Sequence, residues 1–230
     1  MVIENCLIMA GGTVGLNYYN TPHGPPTNVR IALRCNTAAA VRHVLTLNLF
    51  QKPPVAGAEQ GRKAYQLEAS ENMLSGGVLI NSSLMDQVPT REEMEEDLLR
   101  LVGYREERNL YLLPDGKDFL AFAYHSKPAD PARSRRTLVE WERFWSLENT
   151  RSLQAKVQFQ GYDAAAPPAN PTPSDFRLKP DSPGKGAGKD GHDLGADVDL
   201  VGPGAAYERW KKMPEYEDWR KRTARAINPR

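Results

Sequence analysis

Four aspartates set among glycines, Asp190, Asp193, Asp197 and Asp199, carry the most explicit chemistry in the chain. Calcium takes roughly six to eight hard oxygen ligands, and closely spaced carboxylates on glycine-softened backbone supply several. The spacing departs from the calcium-loop pattern D-x-[DN]-x-[DN]-G-x5-E. Aspartates in glycine-rich turns also bond their own backbone. Both readings stand at this level. Tyr18 and Tyr19, beside Asn20 and His23, are the second candidate, because aromatic faces with amide partners suit pyranose rings. The same sequence equally allows one tyrosine to pack inward while the other edges a loop.

Other groups argue against particular chemistries. His23, His43, His125 and His192 lack the HxxH or HExxH spacing of a zinc site. Gly11-Gly12 and Gly184–Gly188 lack the phosphate-loop signatures and read as turns. Cys6 and Cys35 fall at odd relative positions on neighbouring strands, so one faces in and one out, beyond disulfide reach. Near the C-terminus, Tyr207/Trp210 and Tyr216/Trp219 pair at i,i+3 among Lys211, Lys212, Arg220, Lys221, Arg222 and Arg225. Such interleaving can bind nucleic acid, but Glu208, Glu215, Glu217 and Asp218 nearly balance it. The aromatic pairs read instead as a stripe that packs onto the body, and no nucleic-acid partner is expected.

The totals bound these choices. The chain has 230 residues, 40% hydrophobic, with Gly 18 and Pro 18. That composition suits a loop-rich or β-rich fold better than a helical bundle. A formal charge of +1 gives no whole-molecule field toward polyanions. No apolar run reaches the length of a membrane span. The opening Met-Val-Ile-Glu-Asn-Cys is not a signal peptide.

A faint repeat organises the first part. Ile3-x-x-Cys6-x-Ile8 recurs as Leu33-x-x-Asn36-x-Ala38 and as Ala69-x-x-Asn72-x-Leu74. A buried Asn at a corner after a short strand can bond its own and neighbouring repeats, and Cys can replace it. The Asn36 corner also fits a leucine-rich pattern, but those repeats are shorter and richer in leucine. Thr90 with Glu93 predicts a capping box, and Met94, Leu98, Leu101 and Val102 a helix ending near Gly103. Residues 109–113 and 119–124 flank Pro114-Asp115-Gly116-Lys117, which predicts a hairpin. Leu138, Trp141, Phe144 and Trp145 lie at helical spacing, and Val157 and Phe159 suggest a final strand. Ala164–Ser174 is a Pro/Ala-rich linker. Asp175–Gly204 is rich in turn formers yet keeps Phe176, Leu178, Leu194, Ala196 and Val198. It is expected to wrap onto something already folded. Two helical pieces follow, the second starting at Pro214.

From Leu138 to Val201 the chain resembles the closing part of right-handed parallel β-helix proteins of the pectate-lyase-like superfamily. Leu138, Trp141, Ser152 and Phe159 match, as do Asp175-Phe176-Arg177-Leu178, Ser182-Pro183, Ala187-Gly188 and Asp193-Leu194-Gly195-Ala196. The usual Asp before the serine is replaced by Asn149 or missing. Residues 204–223 further resemble the C-termini of planctomycete-type bacterial proteins, some of which carry such a tail after a serine/threonine kinase domain. Fold follows from this likeness better than function does, because β-helices host many activities.

The expected fold is therefore an all-β solenoid, the C-terminal rungs of a right-handed parallel β-helix. The expected parts are rungs over 1–88, a helix and hairpin insertion over 89–135, a final rung and closing segment over 136–204, and a helical cap over 205–230. The resemblance implies a non-catalytic module of a bacterial extracytoplasmic or secreted protein, binding polysaccharide or a protein partner; the cytoplasm stays open. Alternatives are a fragment of a polysaccharide lyase or glycoside hydrolase, or the accessory end of a serine/threonine kinase. The chain is expected to belong to a longer polypeptide or to have a misplaced start. No catalytic residue is assigned. Candidate ligand contacts are Tyr18, Tyr19 and His23; no cofactor is required, with calcium on Asp190, Asp193, Asp197 and Asp199 as the option.

Overall fold

The computed structural model describes residues 1–9, 12–18, 28–39, 43–50, 63–82, 90–113, 117–123, 135–201 and 205–227. Its short strands are dealt in rotation to three all-parallel sheets. The first sheet runs β1 (Val2–Glu4), β4 (Val29–Arg34), β7 (Tyr65–Ser70) and β10 (Val102–Glu107). The second runs β2 (Leu7–Ile8), β5 (Thr37–Ala38), β8 (Met73–Leu74), β11 (Leu110–Tyr111) and β13 (Leu153–Gln154). The third runs β3 (Gly12–Tyr18), β6 (His43–Leu49), β9 (Gly77–Ser82) and β12 (Leu120–Ala123). Each successive triplet of strands makes one layer, and like positions stack.

Period-two alternation sets the inward face. Val14, Leu16 and Tyr18 of β3 are buried while Gly15 and Asn17 are exposed. Register then builds columns of like residues: Leu16, Leu47, Ile80 and Phe122 in the third sheet, and Ile8, Ala38, Leu74 and Tyr111 in the second. In the first sheet, Ile3, Leu33 and Ala69 lead to Glu106.

The corner between the first two sheets repeats a two-residue device. Asn5, Cys35, Glu71, Arg108 and Arg151 all sit in the left-handed region, with φ of 50, 50, 56, 53 and 56°. The residue after each is Cys6, Asn36, Asn72, Asn109 and Ser152, a ladder through the interior. Each of the last four accepts from the backbone N–H of the preceding layer: Asn36 from Cys6 at 2.9 Å, Asn72 from Asn36 at 2.9 Å, Asn109 from Asn72 at 3.0 Å, Ser152 from Asn109 at 3.1 Å. The Asn side chains in turn donate to the Ile3, Leu33 and Ala69 carbonyls. Groups that would be orphaned at a buried corner are thereby satisfied.

Helix α1 (Arg91–Leu101) starts on the expected Thr90/Glu93 capping box and buries Met94, Leu98 and Leu101. It ends at Val102, without a glycine cap, because β10 begins there. Gly103 lies in that strand, where a Cβ would come 2.3 Å from the Gln66 Oε1. Glu95 anchors the helix, taking Arg91 at 3.1 Å and Arg135 through two bonds of 2.8 and 3.0 Å.

The expected hairpin does not form. Its two strands, β11 and β12, pair with β8 and β9 of the layer before, each in parallel, and not with each other. The Pro-Asp-Gly signal, residues 114–116, lies outside the described residues. Residues 102–123 are thus a fourth layer and not an insertion. Helix α2 (Leu138–Trp145), with a Thr137/Glu140 capping box, buries Trp141 and Trp145 against Tyr104 and Phe119 of that layer. Phe159, expected in a final strand, makes one antiparallel bridge with Leu178.

Helices α3 (Ala205–Trp210) and α4 (Pro214–Ile227) follow as anticipated. Trp210 lies 4.9 Å from Tyr216 and 5.4 Å from Trp219 between ring centroids.

Candidate functional site

The second sheet has an outer face as well as an inner one. Leu7, Thr37, Met73 and Leu110 point away from the main core, and Asp175–Val198 lies across them. Met73 and Leu110 pack with Leu178 and Leu194. Leu7 and Ala39 pack with Tyr162, Phe176 and Val198. All five apolar positions singled out in this segment, Phe176, Leu178, Leu194, Ala196 and Val198, are buried. The turn-rich stretch is ordered because those side chains complete a second core.

The segment runs back along the stack. A Cβ on Gly184 would meet Leu110 of the fourth layer. The Gly195 N–H donates to the Glu71 carbonyl of the third layer at 2.8 Å. Ala196 donates to the Thr37 hydroxyl of the second at 2.9 Å, and Asp197 to the Asn5 Oδ1 of the first at 2.7 Å. It is a strap fastened to every layer.

Beside the strap, where it faces the left-handed corner, lies a groove of about 540 Å³. Glu4, Asn5 and Cys35 edge it from the corner, and Arg177, His192, Asp193 and Asp197 from the strap. Met73, Leu178 and Leu194 form an apolar floor. Burial, then the nearby Glu71 and Glu4 carboxylates, push the Cys35 thiol up from its ordinary value. An apolar floor with a few convergent polar groups is the chemistry of ligand binding.

The four aspartates do not converge on one point. Asp193 takes the Lys185 ammonium at 2.8 Å and the Gly186 N–H at 3.0 Å. Asp197 accepts the Asp199 N–H at 3.0 Å, a local turn bond. Asp199 holds Arg177 at 2.6 and 3.1 Å, and this bond keeps its carboxyl below the usual carboxylate range. Asp190 stands exposed with φ 62°. Among the described residues, no group of three or more His, Cys, Asp or Glu side chains is placed to hold a metal ion.

Tyr18 is corrected as a ligand contact: it is only 2% exposed, an inward residue of β3. Tyr19 and His23 lie outside the described residues. Cys6 and Cys35 are free thiols, one step out of register, since Cys6 aligns with Asn36.

Sequence reasoning missed a second polar cluster, inside the fourth layer. The Glu106 Oε2 accepts from the Tyr104 hydroxyl at 2.8 Å and from the Tyr111 hydroxyl. Tyr111 in turn accepts the Trp141 indole N–H at 3.3 Å. The strand reads Val-Gly-Tyr-Arg-Glu-Glu, and only the column position of Glu106 could have revealed it.

No helix among the described residues is long and apolar enough to cross a membrane. Comparison of the chain with family models, with curated proteins and with solved structures finds no match.

Proposed function

We propose that this chain is the C-terminal part of a right-handed parallel β-helix of the pectate-lyase-like kind. It serves as a non-catalytic, glycan-binding module of a bacterial extracytoplasmic protein. The rotation of strands through three parallel sheets and the Asn corner ladder support the solenoid reading. One observation carries the binding reading: the groove beside the strap, with hydrogen-bonding groups around an apolar floor. Glu4, Asp193 and Asp197 line it against Arg177, and the two of these held in ion pairs, Asp193 with Lys185 and Arg177 with Asp199, leave the Glu4 and Asp197 carboxylates as the charge it offers. That balance disfavours polyuronates and favours neutral glycans, whose hydroxyls donate to carboxylates.

The test is calorimetric titration with neutral glycans and polyuronates, with and without calcium, alongside assays for released ends. A neutral glycan should bind without turnover, and His192→Ala should weaken it about tenfold, the loss of one or two hydrogen bonds. Its melting temperature should stay that of the parent. Binding to no glycan would refute the proposal, and calcium-dependent release of unsaturated ends would replace it with the lyase alternative.

A further inference from the structure

Glu106 is the one carboxylate that the columns of the first sheet carry inward, below Ile3, Leu33 and Ala69 in register. Small Ala69 beside it leaves room for the longer side chain. Only one of its oxygens is satisfied: Oε2 takes both phenols, while Oε1 is buried without a hydrogen-bond partner. The Trp145 indole nitrogen is buried and unpartnered too. Tyr104 touches both residues, bonding Glu106 and lying 5.1 Å from the Trp145 ring between centroids.

We propose that Glu106 is a pH-operated latch on helix α2. With the carboxyl neutral, Tyr104 and Tyr111 seat Trp141 and Trp145 and the fourth layer is sealed. When the carboxyl gives its proton to solvent, the charge sits partly on Oε1, a buried oxygen that makes no hydrogen bond in the sealed layer. Such a group draws in water or rearranges its surroundings. The water enters beneath α2, and the tryptophans are unseated.

The groups that face the carboxyl are few. From β10 there is Tyr104, from β11 Tyr111, from the turn before β13 the Ser152 hydroxyl, and from α2 the Trp141 indole. Arg105 and Glu107 alternate to the exposed face. No cation is among the groups that shift it. Burial raises the carboxyl above its ordinary value, and the neighbouring Tyr111, Tyr104, Ser152 and Trp141 side chains only partly offset this. A folded-state pKa above the unfolded one means stability that is complete below the unfolded value and lost as pH rises through the folded one. The latch therefore opens with rising pH, above the range of a free glutamate.

The test uses the full chain and the indole N–H signals of its four tryptophans, assigned by Trp→Phe substitution and followed from pH 4 to 9. The Trp141 and Trp145 signals should shift together with a one-proton midpoint above that of free glutamate. Glu106→Gln should abolish that transition and keep the acid-side positions. Signals that do not move, or a transition that survives in Glu106→Gln, would overturn the latch. Should Glu106→Gln fail to fold, Tyr111→Phe decides. Removing a donor to the carboxylate must move the midpoint to higher pH, and an unchanged midpoint overturns the proposal.

Discussion

The Oδ1 of Asn72 accepts from Asn36 twice, from its backbone N–H at 2.9 Å and from its side-chain amide at 3.0 Å. One oxygen thus ties two layers at a point where neither residue reaches water, both being at most 1% exposed. The Asn72 side chain also donates to the Leu33 carbonyl and to Asn109.

Replacing Asn72 by Ala takes the acceptor from two buried donors, the Asn36 N–H and one hydrogen of its side-chain amide. The expected cost is about 2–4 kcal/mol, the usual range for such orphaned groups taken together. Urea unfolding measures it, and a loss within about 0.5 kcal/mol, as at an ordinary surface site, would contradict the ladder's role.

Gly195 and Gly191 both have positive φ, +88 and +82°, but their surroundings differ. A Cβ on Gly195 would lie 2.4 Å from the Met73 Cε and 2.5 Å from the Thr37 Oγ1, whereas Gly191 faces open space. Gly191→Ala should cost about 1 kcal/mol, the left-handed strain alone. Gly195→Ala adds the clash and should cost about 2–4 kcal/mol, while exposing Leu194 and Leu178. Limited proteolysis within the strap should accelerate only in Gly195→Ala.

Acid should act first on the helix starts. The Glu140 carboxylate accepts the Arg136 and Thr137 N–H groups at 2.8 and 3.0 Å, and these bonds hold its carboxyl below the usual range. Asp175 is lowered likewise by the Thr172 N–H and hydroxyl. Carboxyls lowered by folding contribute stability above their unfolded pKa and lose it as pH falls through the folded value. The urea midpoint of the parent should drop between pH 5 and about pH 3, and Glu140→Gln should show a shallower drop. Equal slopes would remove the cap from the acid response.

Calcium should leave the protein as it is. Asp193 and Asp199 are engaged by Lys185 and Arg177, so a metal would have to break both pairs. Millimolar calcium or a chelator should not move the melting temperature, and a concentration-dependent rise would reveal a site by linkage.

The second core was the most legible part of this chain. Phe176, Leu178, Leu194 and Val198 stood out because apolar residues kept among glycines and prolines need a partner surface. Cys6, Asn36 and Asn72 were visible as a repeat, but Asn109 and Ser152 were not: Glu106 replaces the apolar residue three places before Asn109, and Ser152 stands 43 residues further on without the Asn. The hairpin misreading has another origin. Parallel strands pair with segments some 30 to 40 residues away, as Leu110 does with Met73 and Leu120 with Val78, and a local turn signal says nothing of such partners. Tyr18 carried a readable sign, its period-two phase with Val14 and Leu16. The groove could not be read at all, because it exists only where residues 192–197 come to lie beside residues 4, 5 and 35.

The strap has a consequence for biosynthesis. Its bond to the first layer joins residues 192 positions apart, Asn5 and Asp197. At roughly 5–20 residues per second, a ribosome separates them by on the order of ten to forty seconds. During that interval the outward Leu7, Met73 and Leu110 have nothing over them, and the nascent layers present a bare apolar flank. Such long-range closure is slow and aggregation-exposed. Emergence of the strap from the ribosome, and not completion of the sheets, is the step that covers this flank.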